Sequence, residues 1–421
     1  MLVHLESHAL AQHEDPQEFK ELAISAGAEV AGFVSIKINQ PAARYLIGAG
    51  KVEELRELVQ QQDISLAIFN LDLTASQERN LERTLGCRVV DRIGLILDIF
   101  AQRAQTHEGK LQVELAQLEH ISTRLIRSRT DLGRQQGGIG LRGPGETQLE
   151  TDRRMLRSRM RQIRTRLEKV RNQRELGRRS RKRAEIPGVS LVGYTNAGKS
   201  TLFNRLTSSA VYAADQLFAT LDPTVRRIEL ADTGAITLVD TVGFIRNLPH
   251  KLIEAFSATL EETANADLLL HVIDAAAPER DEQVEQVQQV LAEIGAGRVP
   301  VLEVYNKIDL LQAVAPHIQR DEHGLPARVM LSAHDGRGLD LLLQAMDELL
   351  AQEMFAGCLC LPPLLSRLRA RLFSLNAVHQ ENYNEQGDSL LQVRLPLVEL
   401  KRLLSDEGLG FAEFLDVHAV A

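Results

Sequence analysis

Between Gly193 and Ser200 the chain reads Gly-Tyr-Thr-Asn-Ala-Gly-Lys-Ser, after the apolar run Val189 to Val192 and before a helix-compatible segment. No other feature constrains the fold as strongly. Glycines at these spacings let backbone N–H groups converge on phosphate oxygens at the N-terminus of a helix. That geometry needs a strand, a tight loop and a helix in register, as found in a largely parallel sheet covered on both faces. Gly193, Tyr194, Thr195, Asn196, Ala197, Gly198, Lys199, Ser200 and Thr201 are therefore expected to line a nucleotide phosphate chain. Lys199 supplies a point charge to the β- and γ-phosphates, and Ser200 offers its hydroxyl to Mg²⁺.

Two further strings fit the same site. Asp240-Thr241-Val242-Gly243 follows the apolar run Ile236 to Val239, 40 residues after Ser200. A carboxylate at a strand end there suits a metal ion, and Gly243 can bring its N–H to a γ-phosphate because no side chain blocks the approach. Asn306-Lys307-Ile308-Asp309 begins 106 residues after Ser200. Asp309 can accept from both guanine N1–H and the exocyclic amine, donors that adenine lacks, so ATP would leave the buried carboxylate unpaired. Asn306 can donate to the base edge, the Lys307 stem can cover its face, and Ser332-Ala333 can bring a backbone N–H to guanine O6. The combination implies GTP and GDP as ligands, with Mg²⁺.

Between these strings, Phe218 to Thr224 has the character of a switch loop that supplies a Thr hydroxyl to the metal. Thr220 and Thr224 both qualify, with Thr220 favoured. Metal ligands are thus expected at Ser200, Thr220 and Asp240, and the catalytic set is Lys199, Thr220, Gly243 and Asn196. Asn196 could hold K⁺ beside the β/γ bridge, supplying charge where other phosphotransferases use an arginine; a structural asparagine is the alternative. Phe244 stands where many GTPases place a water-orienting glutamine. Phenylalanine cannot hydrogen-bond to water, so hydrolysis is expected to be slow without a partner.

With 421 residues, about three domains of ~150 residues are expected. The fold class is α/β throughout. Residues 1–105 alternate helical and strand patterns: helices at Pro16 to Ala26, Lys51 to Gln62, after Thr74 to Leu85 and Ile93 to Gln105, and strands at Ala28 to Ile36, Ser65 to Phe69 and Arg88 to Val90. Gly48-Ala49-Gly50-Lys51 reads first as a helix start, since it lacks the full phosphate-loop spacing and the following Ser or Thr, with a weak anion site as the alternative. A P-loop domain with a doubly wound sheet is expected over 187–355, with strands at Val189 to Val192, Ile236 to Asp240, Leu268 to Ile273, Val299 to Tyr305 and Arg328 to Leu331. A small α+β appendage occupies 356–421, with a strand at Ser389 to Leu395 and a helix at Val398 to Leu404. The three cysteines, Cys87, Cys358 and Cys360, fit neither a disulfide framework nor a zinc site, and imply packed thiols in the cytoplasm. No stretch approaches the roughly 18 apolar residues of a membrane span.

Residues 106–186 differ in character. Leu111, Leu115, Leu118, Ser122 and Leu125, and later Leu156, Met160, Ile163, Leu167 and Val170, step by threes and fours, as in the two seams of an antiparallel coiled-coil arm. Gly133 to Gly145 holds six glycines and a proline and reads as a flexible tip. The net charge of −8 hides a dipole: Arg124 to Arg183 carries 20 Arg and Lys against 6 acids, leaving −22 elsewhere. From Asp152 to Arg183 alone, 15 basic residues face 3 acids, too few for regular helix pairing. Phosphate neutralisation accounts better for such an excess, and a thin glycine-rich finger suits irregular RNA.

The order of these motifs resembles the HflX family of translational GTPases, in the same branch as the Obg proteins. The likeness rests on Ile47-Gly48-Ala49-Gly50-Lys51, Asp98-Ile99-Phe100-Ala101, Leu111-Gln112-Val113-Glu114-Leu115-Ala116, Gly143-Pro144-Gly145-Glu146-Thr147 and the nucleotide motifs. The resemblance implies a GTPase that binds the large ribosomal subunit, reaches its rRNA with the helical arm, and splits or rescues stalled ribosomes under stress. A monomer without membrane insertion is expected. The alternatives are a GTPase acting on another RNA or in ribosome assembly, a non-hydrolysing RNA binder, and a membrane-surface GTPase.

Overall fold

The computed structural model describes residues 1–7, 15–125, 144–183, 186–207, 217–218, 220–246, 257–312, 314–351, 354–375, 377–384, 387–396, 400, 403–404, 406–407, 409, 414 and 419–420. Most of the tip read at Gly133 to Gly145 and of the helix read at Val398 to Leu404 lies outside them. Among the described residues no helix is long and apolar enough to cross a membrane.

The first unit is a four-stranded, wholly parallel sheet. Strands β1 (Leu2–Ser7), β2 (Phe33–Ile38), β3 (Leu66–Phe69) and β4 (Arg88–Val90) run in the order β2-β1-β3-β4. Helices α1 (Pro16–Ser25), α2 (Ala49–Gln61), α3 (Ala75–Leu85) and α4 (Arg92–Arg103) connect and cover it. Thr74 caps α3 in a reciprocal capping box with Gln77, and Asp15 and Asp91 cap α1 and α4. Gly48 opens α2 and Lys51 pairs with Glu54 at 2.6 Å, as a helix start should. Val52, Leu55, Leu81 and Leu85 cover one sheet face; Phe19, Leu22, Ile96 and Phe100 cover the other.

Hydropathy does not mark strand β1, although it is central. His4 and Glu6 interrupt its apolar run, and His4 is buried because the rings of Phe19 and Phe33 pack against it. β2 begins at Phe33 rather than Ala28, because the turn at Gly27 (φ 82°) leaves the chain to cross to the sheet first.

The arm consists of α5 (His107–Leu125) and the 40-residue α6 (Pro144–Arg183), about 60 Å long at 1.5 Å per residue. α6 takes Pro144 as its first residue, so the helix begins two residues inside the tract read as tip. The helices run antiparallel: Glu108 meets Arg174 at 2.8 Å, while Leu118 neighbours Leu156. Ile163 is completely buried in the seam. α5 is not a free coiled-coil strand, however. Val113 and Ala116 are buried with Leu97 of α4, so its inner turns belong to the first unit.

The third unit is a seven-stranded sheet in the order β10-β11-β9-β8-β5-β7-β6. Its parallel centre comprises β5 (Gly188–Gly193), β7 (Gly234–Asp240), β8 (Leu268–Asp274), β9 (Val301–Asn306) and β11 (Pro326–Met330). Helices α7 (Lys199–Thr207), α8 (Ser257–Ala264), α9 (Arg280–Glu293) and α10 (Leu339–Ala351) pack around it. Two antiparallel edges, β6 (Thr224–Leu230) and β10 (His317–Arg320), go beyond the strands expected and make the sheet mixed. Both are polar edge strands that bury little on their outer side, so hydropathy does not mark them.

A last sheet holds β12 (Met354–Leu361), β13 (Val378–Tyr383), β14 (Ser389–Pro396) and β15 (Ala419–Val420), with α11 (Ser366–Ser374) against it. Cys358 and Cys360 sit on β12, and neither they nor Cys87 is joined in a disulfide.

Candidate guanine-nucleotide site

The carboxyl ends of β5, β7 and β9 bring the three motifs together. The phosphate loop leaves β5 at Gly193 and enters α7 at Lys199. Gly198 has φ 93°, and a Cβ there would lie 2.2 Å from the Asn306 amide nitrogen, so only glycine lets the loop meet the guanine-reading segment. Asn196 also takes a left-handed conformation (φ 61°), which asparagine tolerates better than most residues, and its side chain is exposed.

Lys199 is buried, and its ammonium donates to the carbonyls of Gly193 (3.0 Å) and Tyr194 (2.7 Å). Burial lowers its pKa to about 8, with the Asp240 charge opposing the shift. Burial and the nearby Lys199 charge lower His271, on β8, to about 4, so the imidazole beneath the loop is neutral at pH 7.

Three oxygens form a triangle beside Lys199. Ser200 Oγ lies 2.7 Å from Thr220 Oγ1, and both hydroxyls donate to Asp240 Oδ2, at 2.8 and 2.9 Å. Asp240 is wholly buried and its Oδ1 has no hydrogen-bond partner. A buried carboxylate oxygen with spare acceptor capacity, beside two hydroxyls, suits a divalent cation and its water shell. Burial raises the Asp240 pKa, opposed by Ser200, Lys199 and Thr220 in that order. Of the two threonines, Thr220 reaches this corner, whereas Thr224 opens β6.

The Asp240-to-Gly243 segment divides its tasks. Thr241 donates its hydroxyl to the Leu191 carbonyl, and Val242 is buried against the first unit. A Cβ on Gly243 would fall 2.8 Å from Thr195 Cγ2 and 3.0 Å from Lys199 Nζ, which is the close backbone approach that glycine allows. Phe244 is buried and bridged to the phosphate loop: Phe244 N donates to Gly193 O (3.1 Å), and Thr195 N donates to Phe244 O (2.7 Å).

At the base end, Asn306 braces protein rather than presenting its amide to a ligand. Its Nδ2 donates to Ala197 O (2.9 Å), and its Oδ1 accepts from Ala333 N (2.8 Å). The Ala333 N–H expected at guanine O6 is thus engaged here by Asn306. Lys307 (φ 66°) pairs with Asp274 at 2.7 Å. Asp309 is exposed rather than buried; Ser332 donates to its Oδ1 at 2.6 Å and leaves the other oxygen open. Arg205, which the motifs did not single out, donates from α7 to the carbonyls of Ala333 (3.2 Å) and His334 (2.5 Å).

Three family models match along the chain: a GTP-binding GTPase N-terminal model over residues 13–101, a GTP-binding GTPase middle region over 103–181, and a 50S ribosome-binding GTPase over 188–307. The chain is 56% identical over 407 residues to GTPase HflX of Escherichia coli (strain K12), covering 97% of this chain and 96% of that one. The chain belongs to the HflX family of GTPases. It is 48% identical to GTPase HflX of Caldanaerobacter subterraneus subsp. tengcongensis over 90% of this chain and 86% of that one. A GTP-binding protein from Sulfolobus solfataricus in complex with GDP is 25% identical, covers 83% of this chain and 97% of its own, and superposes with a TM-score of 0.44.

As an HflX-family member the chain binds guanine nucleotide and hydrolyses GTP. Phosphoryl transfer of this kind is catalysed by positioning and charge stabilisation, with no covalent enzyme intermediate. Here the Lys199 ammonium lies against the Gly193 and Tyr194 carbonyls of the loop, with the Gly243 backbone close beside it. Phe244 cannot orient a water.

What sequence reading missed is the attachment of the site to the first unit. Tyr194 of the phosphate loop donates its hydroxyl to Glu18 Oε2 (2.6 Å) and accepts from Arg246 N (2.9 Å). Arg92 donates to Arg246 O (2.7 Å) and lies 3.5 Å from Glu18. Burial raises Glu18 to about 7, opposed by the Tyr194 hydrogen bond and the Arg246 charge. No local signal marks such a cluster, because single hydrogen bonds in it join residues up to 176 positions apart.

Proposed function

We propose that this GTPase acts on the large ribosomal subunit. The GTP-bound form docks the basic arm on rRNA, hydrolysis releases it, and the cycle splits or rescues stalled ribosomes under stress. One observation carries the reading: a ribosome-binding type of GTPase domain is joined to a long helix whose arginines divide into two sets. Arg159 pairs with Glu114 (2.6 Å), Arg164 with Glu119 (2.8 Å) and Arg174 with Glu108 (2.8 Å), closing the hairpin. Arg154, Arg157 and Arg161 stand exposed, on one side of α6, as an outward cationic face suited to phosphates.

Ser200, Thr220 and Asp240 hold Mg²⁺, Asp309 reads guanine, and Asn196 places K⁺ beside the β/γ bridge. The protein works as a cytoplasmic monomer. The oxygen triangle with the unpartnered Asp240 Oδ1 supports the metal assignment, and the exposed, left-handed Asn196 supports the K⁺ assignment.

Sedimentation with purified large subunits tests the reading. Co-sedimentation is expected with a non-hydrolysable GTP analogue and not with GDP, together with subunit-stimulated turnover that is faster in K⁺ than in Na⁺. Lys199→Ala is expected to abolish all of these. Equal sedimentation with both nucleotides sinks the ribosomal switch; equal rates in Na⁺ and K⁺ remove the role of Asn196.

A further inference from the structure

The loop from Leu217 to Asp222 does two things at once. At Thr220 it closes over the metal corner, 2.7 Å from Ser200 Oγ and 2.9 Å from Asp240 Oδ2. Two residues on, it is fastened to the root of the arm. Asp222 Oδ2 accepts from the N–H groups of Gln105 and Thr106, both at 2.8 Å, and its Oδ1 accepts from Thr106 Oγ1 at 2.5 Å. Thr106 in turn caps α5, its Oγ1 accepting from Gly109 N at 3.0 Å. A carboxylate at this helix end is favoured by the orphan N–H groups and by the helix dipole.

The fit is close. A Cβ on Gly109 would lie 2.1 Å from Asp222 Oδ1, so the first turn of α5 admits the carboxylate only because residue 109 is glycine. Leu217, Phe218 and Leu221 are seated on the first unit as well. Leu217 N donates to Ser25 Oγ (3.2 Å), and the Phe218 ring meets Phe100 edge-on at 4.7 Å. Leu217, Phe218 and Leu221 are buried in one apolar cluster with α1 and α4. Phe218 holds φ 56°, a conformation that a bulky residue keeps only where its surroundings impose it.

We propose that Asp222 is the positioning residue that couples the closed switch loop to the arm: when Thr220 closes on the metal corner, Asp222 fixes the α4–α5 junction and hence the direction of the hairpin. The coupling deepens the ribosomal reading, on which it relies only for what the arm contacts. By thermodynamic reciprocity, a junction that prefers the closed loop must also raise the affinity for whichever nucleotide closes it.

The test needs no ribosome. Hydrogen exchange at the amides of residues 105–110 is measured on the full chain with GDP and with a non-hydrolysable GTP analogue, for wild type, Asp222→Ala and Gly109→Ala. Wild-type protection is expected to be at least about tenfold greater with the analogue, the signature of a coupling of ordinary size. Both variants should exchange equally with either nucleotide. Their analogue-over-GDP affinity ratio, measured by calorimetry, should fall about tenfold, while GDP affinity stays near the wild-type value. Gly109→Ala keeps the Asp222 side chain and favours helix, so agreement between the variants separates coupling from simple destabilisation. Wild-type protection that ignores the nucleotide overturns the proposal, as does nucleotide-dependent protection surviving in Asp222→Ala. Failure of ribosome binding alongside intact nucleotide-dependent exchange overturns the ribosomal reading and leaves the coupling standing.

Discussion

The Tyr194 hydroxyl and the Glu18 carboxyl meet at 2.6 Å, joining the phosphate loop to the first helix of the chain. Both groups are buried, and the same hydroxyl accepts the Arg246 N–H two residues after Phe244. One side chain therefore touches the first unit, the phosphate loop and the segment that follows Gly243. The backbone repeats the link, since Gly193 and Thr195 are bridged to Phe244. Motion of Phe244 away from the loop must disturb contacts shared with α1 and α4.

Glu18 gives this joint a pH dependence. Its folded pKa of about 7 lies above the ordinary 4.5 because burial penalises the charge. The folded chain then keeps a proton that the unfolded chain loses, so the stabilisation from protonated Glu18 is complete below pH ~4.5. It declines as pH rises towards ~7 and is flat beyond, a change of at most about 3 kcal/mol. Urea midpoints at pH 5 and pH 8 should differ less in Glu18→Gln than in wild type. An unchanged difference would place the ionisation elsewhere.

Asp309 has one oxygen on Ser332 and the other free for a base. Asp309→Asn replaces an acceptor by an amide that can donate. Guanine affinity is expected to fall about 100-fold, while a purine with an oxygen at C2 gains. Competition between GDP and xanthosine diphosphate measures the switch. Retention of guanine preference by the variant would show that Asp309 does not read the base.

The exposed arginines of α6 make the third prediction. Replacing Arg154, Arg157 and Arg161 with alanine should weaken large-subunit binding and lower the log–log salt slope by about one for each phosphate no longer neutralised. Replacing Arg159 and Arg164, which are committed to Glu114 and Glu119, should lower the slope less. Equal slopes for the two sets would mean that the outward face is not the RNA-binding one.

Much of this molecule is written locally. The Gly193-to-Ser200 loop, the Thr74 capping box and the Ile163 seam are legible because strand–loop–helix turns, caps and helical faces depend on residues a few positions apart. Nucleotide class was legible for the same reason: Asp240 ends a readable strand, and Lys199 and Asp309 follow readable strands within a few residues. β1, β6 and β10 were not, because a two-sided central strand and polar edge strands owe their form to neighbours rather than to their own hydropathy. Only the tertiary structure sets Asn306 bracing Ala197 and Ala333, Tyr194 on Glu18, and Asp222 on the arm root. Those contacts span more than a hundred residues along the chain, or join loops that follow different strands. The contacts of Tyr194 and Asp222 exist because packing α1 and α4 against the switch loop buries apolar surface, and the polar groups carried into that interface must then find one another.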